Sequence, residues 1–254
     1  MVQFSEAQLM AWLAASLYPF FRIAALIGTA PIIGDATVPR RVRIGLALFV
    51  TVVVAPGVSS VPDVALLSGE GFLLIVRQML IGAAMGFSMR LAFAAIEYAG
   101  DLIGLQMGLG FALLIDPETR DQTPMIGSLL RYFASLAFLA ANGPLMMIAG
   151  VADSFQSLPI AGSAGLFGDW KMLTLQGGVI FGLALHMALP VIAALLVTNV
   201  ALGVMTRAAP QLNLFSIGFP ITISVGLIVL IVSLPVMLAI ADSALMETAG
   251  RLLR

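Results

Sequence analysis

The sequence predicts an all-α, polytopic membrane protein made of helical hairpins with broken helices. Three observations carry that expectation. Hydrophobic residues make up 61% of the 254-residue chain and charged residues only 10%, against roughly 25% charged in soluble domains. The apolar runs are too long and too numerous for a soluble core, since about 20 apolar residues already suffice to cross a bilayer as a helix. Proline and glycine recur inside those runs, at Asn142-Gly143-Pro144, Pro190 and Pro220. Such breaks free backbone groups that neighbouring protein must satisfy. A net charge of −1 leaves no footprint for nucleic acid, and the absence of cysteine excludes disulfides and Cys-ligated metals. The opening Met1-Val2-Gln3-Phe4-Ser5-Glu6 lacks the basic start of a cleaved signal peptide, so Met1 is expected to stay. With no soluble domain foreseen, the protein acts within the membrane or through partners.

The first apolar segment runs from about Leu9 to Ile33, interrupted by Arg22, and exits through Asp35 to Arg43 with Pro39 and the cluster Arg40, Arg41, Arg43. The second, Ile44 to Ala55, stops at Pro56-Gly57 and is short for a span, which suits a tilted, half-inserted or hairpin helix. After Asp63 and Glu70 comes a third, Phe72 to Ile96, holding Arg77, Arg90 and a Gly82-x-x-x-Gly86 pair. The fourth spans Met125 to about Ala152, with Arg131 near its start and the Asn142-Gly143-Pro144 break within it. A Gly- and Ser-rich connection from about Asp153 to Lys171 leads into Met172 to Met205, too long for one simple span and expected to break at Pro190. Thr206 to Asn213 is a polar turn, Leu214 to Ala241 the last apolar segment, and the tail to Arg254 an amphipathic helix end. Placing Arg40, Arg41, Arg43, Arg120 and Arg207 in cytoplasmic turns puts the acidic connections around Asp63 and Asp153 outside. Arg251 and Arg254 then fall outside too, against the trend.

The stretch Glu97 to Thr123, between the third and fourth segments, organises the chain. Gly100, Gly104 and Gly108 are four apart, so on one helix they strip a face to bare backbone and let a neighbour approach closely. Glu97 and Asp101 form a second pair at the same spacing. Asp116-Pro117 is expected to stop this helix, and the polar run Glu118-Thr119-Arg120-Asp121-Gln122-Thr123 follows. A close-packed helix delivering a charged loop into a membrane protein points to a pore or a gate. The alternative is a tightly packed helix with an ordinary exposed loop.

Arg22, Arg77, Arg90, Glu97 and Asp101 are the candidate intramembrane charges. An arginine at mid-membrane costs roughly 2.5–3.5 kcal/mol on insertion scales, so such groups face protein or water, pair internally, or snorkel from span ends. His186 has no neighbours at metal-ligand spacing and reads as a packed or hydrogen-bonded histidine. No G-x-x-x-x-G-K-[ST], G-x-S-x-G or H-E-x-x-H occurs. Neither an enzyme nor a cofactor or metal site is therefore expected.

Pro210-Gln211-Leu212-Asn213-Leu214-Phe215-Ser216-Ile217-Gly218-Phe219-Pro220 reads physically as a structured hairpin turn. Pro210 blocks continuation, Gln211 and Asn213 supply hydrogen bonds to freed backbone, and Phe215 and Phe219 anchor the re-entering helix. Its order resembles the P-Q-x-N-x-F-x-x-G-F-P signature of the FliR/SctT family, the export-gate component of flagellar and virulence type III secretion systems. Other pieces fall in the order that family shows: Arg22, Val38-Pro39-Arg40-Arg41-Val42-Arg43, Glu97 with Gly100 and Gly104, Ile115-Asp116-Pro117, Ala141-Asn142-Gly143, Ser154-Phe155 with Leu158-Pro159, and Pro190 with Asn199.

That resemblance implies a FliP-like portion over residues 1–171 followed by a FliQ-like hairpin and tail over 172–254. It implies FliP-like and FliQ-like membrane partners, FlhB/FlhA-like export components, and unfolded proteins as substrates. The channel plug would run from about Gln106 to Gln122, including Met107, Gly108, Gly110, Phe111, Ile115, Asp116, Pro117, Glu118, Arg120 and Asp121. The implied location is the bacterial inner membrane, within the flagellar basal body. A virulence system and a stand-alone secondary transporter are the alternatives. For the transporter, the breaks should correspond between two halves of the chain, which they do not.

Overall fold

The computed structural model describes residues 6–58, 62, 64, 68–111, 125–161, 170–209 and 214–252. Among these every regular element is helical. The α-helices are α1 (Glu6–Thr29), α2 (Arg40–Val54), α3 (Gly69–Gln106), α4 (Met125–Ala140), α5 (Gly143–Ser157), α6 (Trp170–Ala208) and α7 (Leu214–Leu252). Short 3-10 turns occupy Ala55–Gly57 and Leu109–Phe111. The predicted all-α membrane class holds: α1, α3, α6 and α7 are each long and apolar enough to cross a bilayer, and α4 with α5 makes a fifth, broken candidate.

Local chemistry explains most boundaries. Pro39 precedes α2, where its missing N–H costs nothing. The 15 residues of α2 reach only about 22 Å, short of the roughly 30 Å hydrocarbon core, as its sequence length predicts. Its first turn carries Arg40, Arg41 and Arg43 with no acidic residue and no side-chain cap, a charge order that opposes the helix dipole. Between α4 and α5, Asn142 adopts a left-handed φ of 57°, and Pro144 follows at the start of α5. Asn tolerates that conformation better than other residues carrying a Cβ.

Three boundaries differ from expectation. The third apolar segment and the glycine helix are one continuous helix of 38 residues, α3, because no breaker separates Ile96 from Glu97. That helix ends at Gln106, ten residues before Asp116, and Gly108 leaves it with φ 85°. The helical glycine face therefore comprises Gly100 and Gly104, and Gly108 serves the turn instead. The helix α6 runs unbroken through Pro190, while α7 contains Pro220 and Pro235 and continues to Leu252.

The described residues form two compact units. One is drawn from 1–91, 139–176 and 245–254, the other from 92–138 and 177–244. In the first, Tyr18, Ile23 and Leu26 of α1 are buried, as are Val50 of α2, Met89 of α3 and Phe155 of α5. The Gly82-x-x-x-Gly86 pair sets the α1–α3 distance there. A Cβ on Gly82 would collide with the Arg22 backbone, and one on Gly86 would lie 2.7 Å from the Leu26 carbonyl oxygen. In the second unit Ile96, Ile103 and Met107 of α3 are buried, with Leu130 of α4, Leu195 of α6 and Met237 of α7. Large apolar side chains remain exposed on α2, α6 and α7, as expected of surfaces that face lipid or other membrane chains.

Candidate functional site

Arg22 is wholly buried in the first unit. Its Nε donates to Gln78 Oε1 at 2.7 Å, and one terminal nitrogen donates to the Ser154 carbonyl and hydroxyl at 2.9 and 3.0 Å. The other donates to the Leu158 carbonyl at 2.8 Å. The Phe155 ring lies 4.1 Å below the guanidinium carbon. Ser154 lies in the last turn of α5 and Leu158 caps its C-terminal end, where the helix dipole is negative; the Ser154 carbonyl also accepts the Leu158 N–H at 2.9 Å. The positive charge is thus met by a helix end and a π face, and its bonded partners are all neutral. The sequence singled out Arg22 as a charge within an apolar segment; it did not identify Gln78 and Ser154 as its neutral partners.

The second unit handles charge differently. Glu97 and Asp101, one turn apart on α3, face the first turns of α4. Arg131 Nε approaches Glu97 Oε1 at 4.0 Å, with both side chains more than one-third exposed. Asp101 Oδ1 is buried without a hydrogen-bond partner among the described residues and is packed against Gly127. Gly100 meets Gly127 directly: a Cβ on Gly100 would lie 2.6 Å from the Gly127 Cα and 2.7 Å from its nitrogen. Gly104 is looser, its Cβ position 3.7 Å from Ile126 Cγ1. Close packing through glycine is real, and its centre is the pair Gly100–Gly127. Gly127, which no repeat announces, went unread.

The predicted plug begins where α3 ends, and its first residues are held against α6 and α7. Met107 is fully buried. Its carbonyl accepts from Thr222 Oγ1 at 3.2 Å, and its side chain fills the space over Gly226, where a Cβ would lie 2.6 Å from Met107 Cγ. A Cβ on Gly108 would meet the Phe219 ring at 3.1 Å. Gln106, Met107 and Gly108 line a cavity of about 500 Å³ together with Asn199 and Leu202 of α6 and Gly218 and Phe219 of α7. Two separately predicted groups, the plug and the Pro210–Pro220 hairpin, therefore meet at Met107–Gly108 and Gly218–Phe219. Thr222 and Gly226, which secure that meeting, lie beyond the recognisable motif.

The other candidates divide. Arg77 is buried and Arg90 exposed. Gly110 and Phe111 lie in the 3-10 turn that follows α3, and Pro220 lies exposed on α7. Ile115, Asp116, Pro117, Glu118, Arg120 and Asp121 of the plug, and Pro210, Gln211 and Asn213 of the hairpin, fall outside the described residues, as does the side chain of Phe215. His186 is exposed on α6 rather than packed, because at this register the helix turns it away from the buried Met187 and Ala188. Among the described residues no three His, Cys, Asp or Glu side chains group to hold a metal.

The family model for bacterial export proteins, family 1, matches residues 13–248. The flagellar biosynthetic protein FliR of Escherichia coli (strain K12) is 42% identical over 235 residues, covering 92% of this chain and 90% of that protein. The protein of the same name from Pectobacterium carotovorum subsp. carotovorum is 41% identical over 247 residues, 97% of this chain and 94% of its own. The Bacillus subtilis (strain 168) protein of that name is 34% identical over 245 residues, 94% of each.

Proposed function

We propose, since the chain belongs to the bacterial export proteins of family 1, that it is the FliR-type membrane component of a flagellar protein-export gate. In this reading it assembles in the bacterial inner membrane with FliP-like and FliQ-like subunits and works with FlhA- and FlhB-like components. Together they form the path by which unfolded flagellar proteins leave the cytoplasm. Residues 1–171 supply the FliP-like portion and 172–254 the FliQ-like hairpin and tail. Energy comes from partner proteins, and the chain itself contributes a barrier that opens and closes.

The observation that carries this reading is the fastening of Met107. A loop that merely joins two helices does not require its first residue to be fully buried, hydrogen-bonded through its carbonyl to Thr222 and packed over Gly226. Segment 106–122 is thereby rooted on the hairpin at its start, as a plug must be. Its charged second half would fill the channel when closed.

Deletion of residues 110–122 tests it. The fastening at Met107 remains and loop closure costs little, so the assembled complex is expected to form. Membranes carrying it should then conduct ions that the intact complex excludes. Conductance measured with and without the deletion decides the matter, and equal values from complexes of equal yield would return the segment to a connecting loop.

A further inference from the structure

We infer that Arg40, Arg41 and the groove between α1 and α2 bind one anionic phospholipid, with the headgroup on the arginines and an acyl chain in the groove. The groove encloses about 990 Å³ and is lined from α1 by residues such as Trp12, Ser16 and Phe20, from α2 by Leu48 and Val52, and from the 3-10 turn after it by Ala55. The lining residues fall at matching distances on either side of the 30–39 connection, 12–20 before it and 48–56 after it, as in an antiparallel hairpin, so the groove follows α2 away from its arginines.

Register joins the two halves of the site. On α2, Arg41, Leu48 and Val52 are spaced by seven and eleven residues, and Arg40 and Thr51 by eleven, intervals that return to nearly the same helix face at 3.6 residues per turn. Arg43 falls on another side. At 1.5 Å per residue the groove opens about 10 Å from Arg41 and ends about 22 Å from it. One leaflet offers about 15 Å of hydrocarbon beneath a headgroup layer of about 6 Å. A phospholipid therefore matches the distance from cations to groove end.

The charge is available. Arg40 and Arg41 are exposed, and among the described residues no carboxylate forms an ion pair with either. The acid in the preceding loop, Asp35, accepts the Thr37 N–H at 3.0 Å. Nor does the cluster serve the helix, whose dipole it opposes. Ile44, Phe49 and Val53 are exposed around the rest of α2, which places the groove in an apolar surrounding. An anionic headgroup answers two arginines, whereas a purely apolar neighbour leaves them unmatched.

The test uses the full-length chain in vesicles of phosphatidylcholine alone or mixed equally with phosphatidylglycerol. Each vesicle contains a trace of phosphatidylglycerol or phosphatidylcholine bearing a photoreactive group near the end of one acyl chain. Phosphatidylglycerol is expected to crosslink within residues 12–20 and 48–56, with phosphatidylcholine well below it. R40Q/R41Q should reduce that yield about tenfold or more, given roughly 1 kcal/mol for each arginine near an anionic headgroup. R40K/R41K, equal in charge, should keep most of it. A15W, which fills the groove, should abolish crosslinking there while the arginines remain. Equal labelling by both lipids, labelling indifferent to R40Q/R41Q, or a groove occupied by another protein chain and closed to lipid would each overturn the site. Loss of folded protein in R40Q/R41Q leaves R40K/R41K and A15W to decide.

Discussion

Arg22 and the Glu97–Asp101 pair are both charges on apolar helices, and the protein accommodates them by opposite means. Arg22 is sealed, with each guanidinium nitrogen bonded to a neutral acceptor. Glu97 is left partly exposed with a distant cation, and Asp101 is kept beside bare backbone at Gly127. A sealed ion needs its entire hydration shell replaced, because leaving even one buried partner unpaired costs about 1–3 kcal/mol. A partly wetted ion needs little, and an exposed pair contributes at most about 1 kcal/mol. The first arrangement locks three helices into one geometry. The second leaves the α3–α4 contact to be set by glycine rather than by charge.

Arg22→Met breaks the contrast most severely. It strands the Leu158 carbonyl and Gln78 Oε1 and takes one of two donors from the Ser154 carbonyl, so about 3 kcal/mol or more of stability should disappear. Thermal unfolding in detergent should show a large fall in midpoint, and Arg22→Lys should recover only part, since one ammonium cannot reach all three acceptors. A wild-type midpoint for Arg22→Met would mean that the burial has no energetic weight.

Next in size is the glycine contact. Gly100→Ala and Gly127→Ala should each cost about 1–3 kcal/mol through overpacking, because the new Cβ meets unyielding backbone at Gly127 and Ile126 in the first case, and the Asp101 carboxylate together with the Glu97 carbonyl oxygen in the second. Gly104→Ala meets only Ile126 at ordinary contact distance and should be neutral, or stabilising by up to about 1 kcal/mol through helix propensity. Folded yield and unfolding midpoint of the three variants rank them. If Gly104→Ala were the worst of the three, the closest approach would lie elsewhere on α3.

Arg131→Gln is the smallest perturbation. Its distance from Glu97 and the exposure of both groups predict a change below about 1 kcal/mol, with little dependence on salt once the pair is gone. A loss comparable to that of Arg22→Met would show that the second charge cluster is as tightly coupled as the first.

Sequence alone reached the fold class because apolar length and charge scarcity act locally and leave their mark on every segment. It also singled out Gly104 and Gly108 by their spacing, although Gly108 lies in the turn after α3 rather than on the helix. What it missed is long-range or cumulative. Nothing near Gln78 or Ser154 announces a partner 56 or 132 residues away, and Gly127 and Gly226 acquire meaning only from the side chains above them. The length of α3 was obscured by expecting helices to stop at a bilayer's thickness, and Pro190 by expecting proline to break what flanking residues can hold together. Thr222 carries no signal of its own, being one hydroxyl in an apolar helix until the carbonyl of Met107 reaches it.

The sealed arginine also imposes an order in time. Translation proceeds at about 5–20 residues per second, so Gln78 follows Arg22 by about 3–11 seconds and Ser154 by about 7–26 seconds. Until Gln78 emerges, α1 exists as a nascent segment whose cation has only water, lipid headgroups or the insertion machinery as acceptors, and until Ser154 follows it has Gln78 alone of its native partners. The last two ligands arrive only with the end of α5, after α3 and α4 have been made. Completion of α5 is therefore the moment at which the N-terminal helix becomes committed to its place, and a ribosome that stalls earlier leaves behind a membrane fragment marked by an unclaimed positive charge.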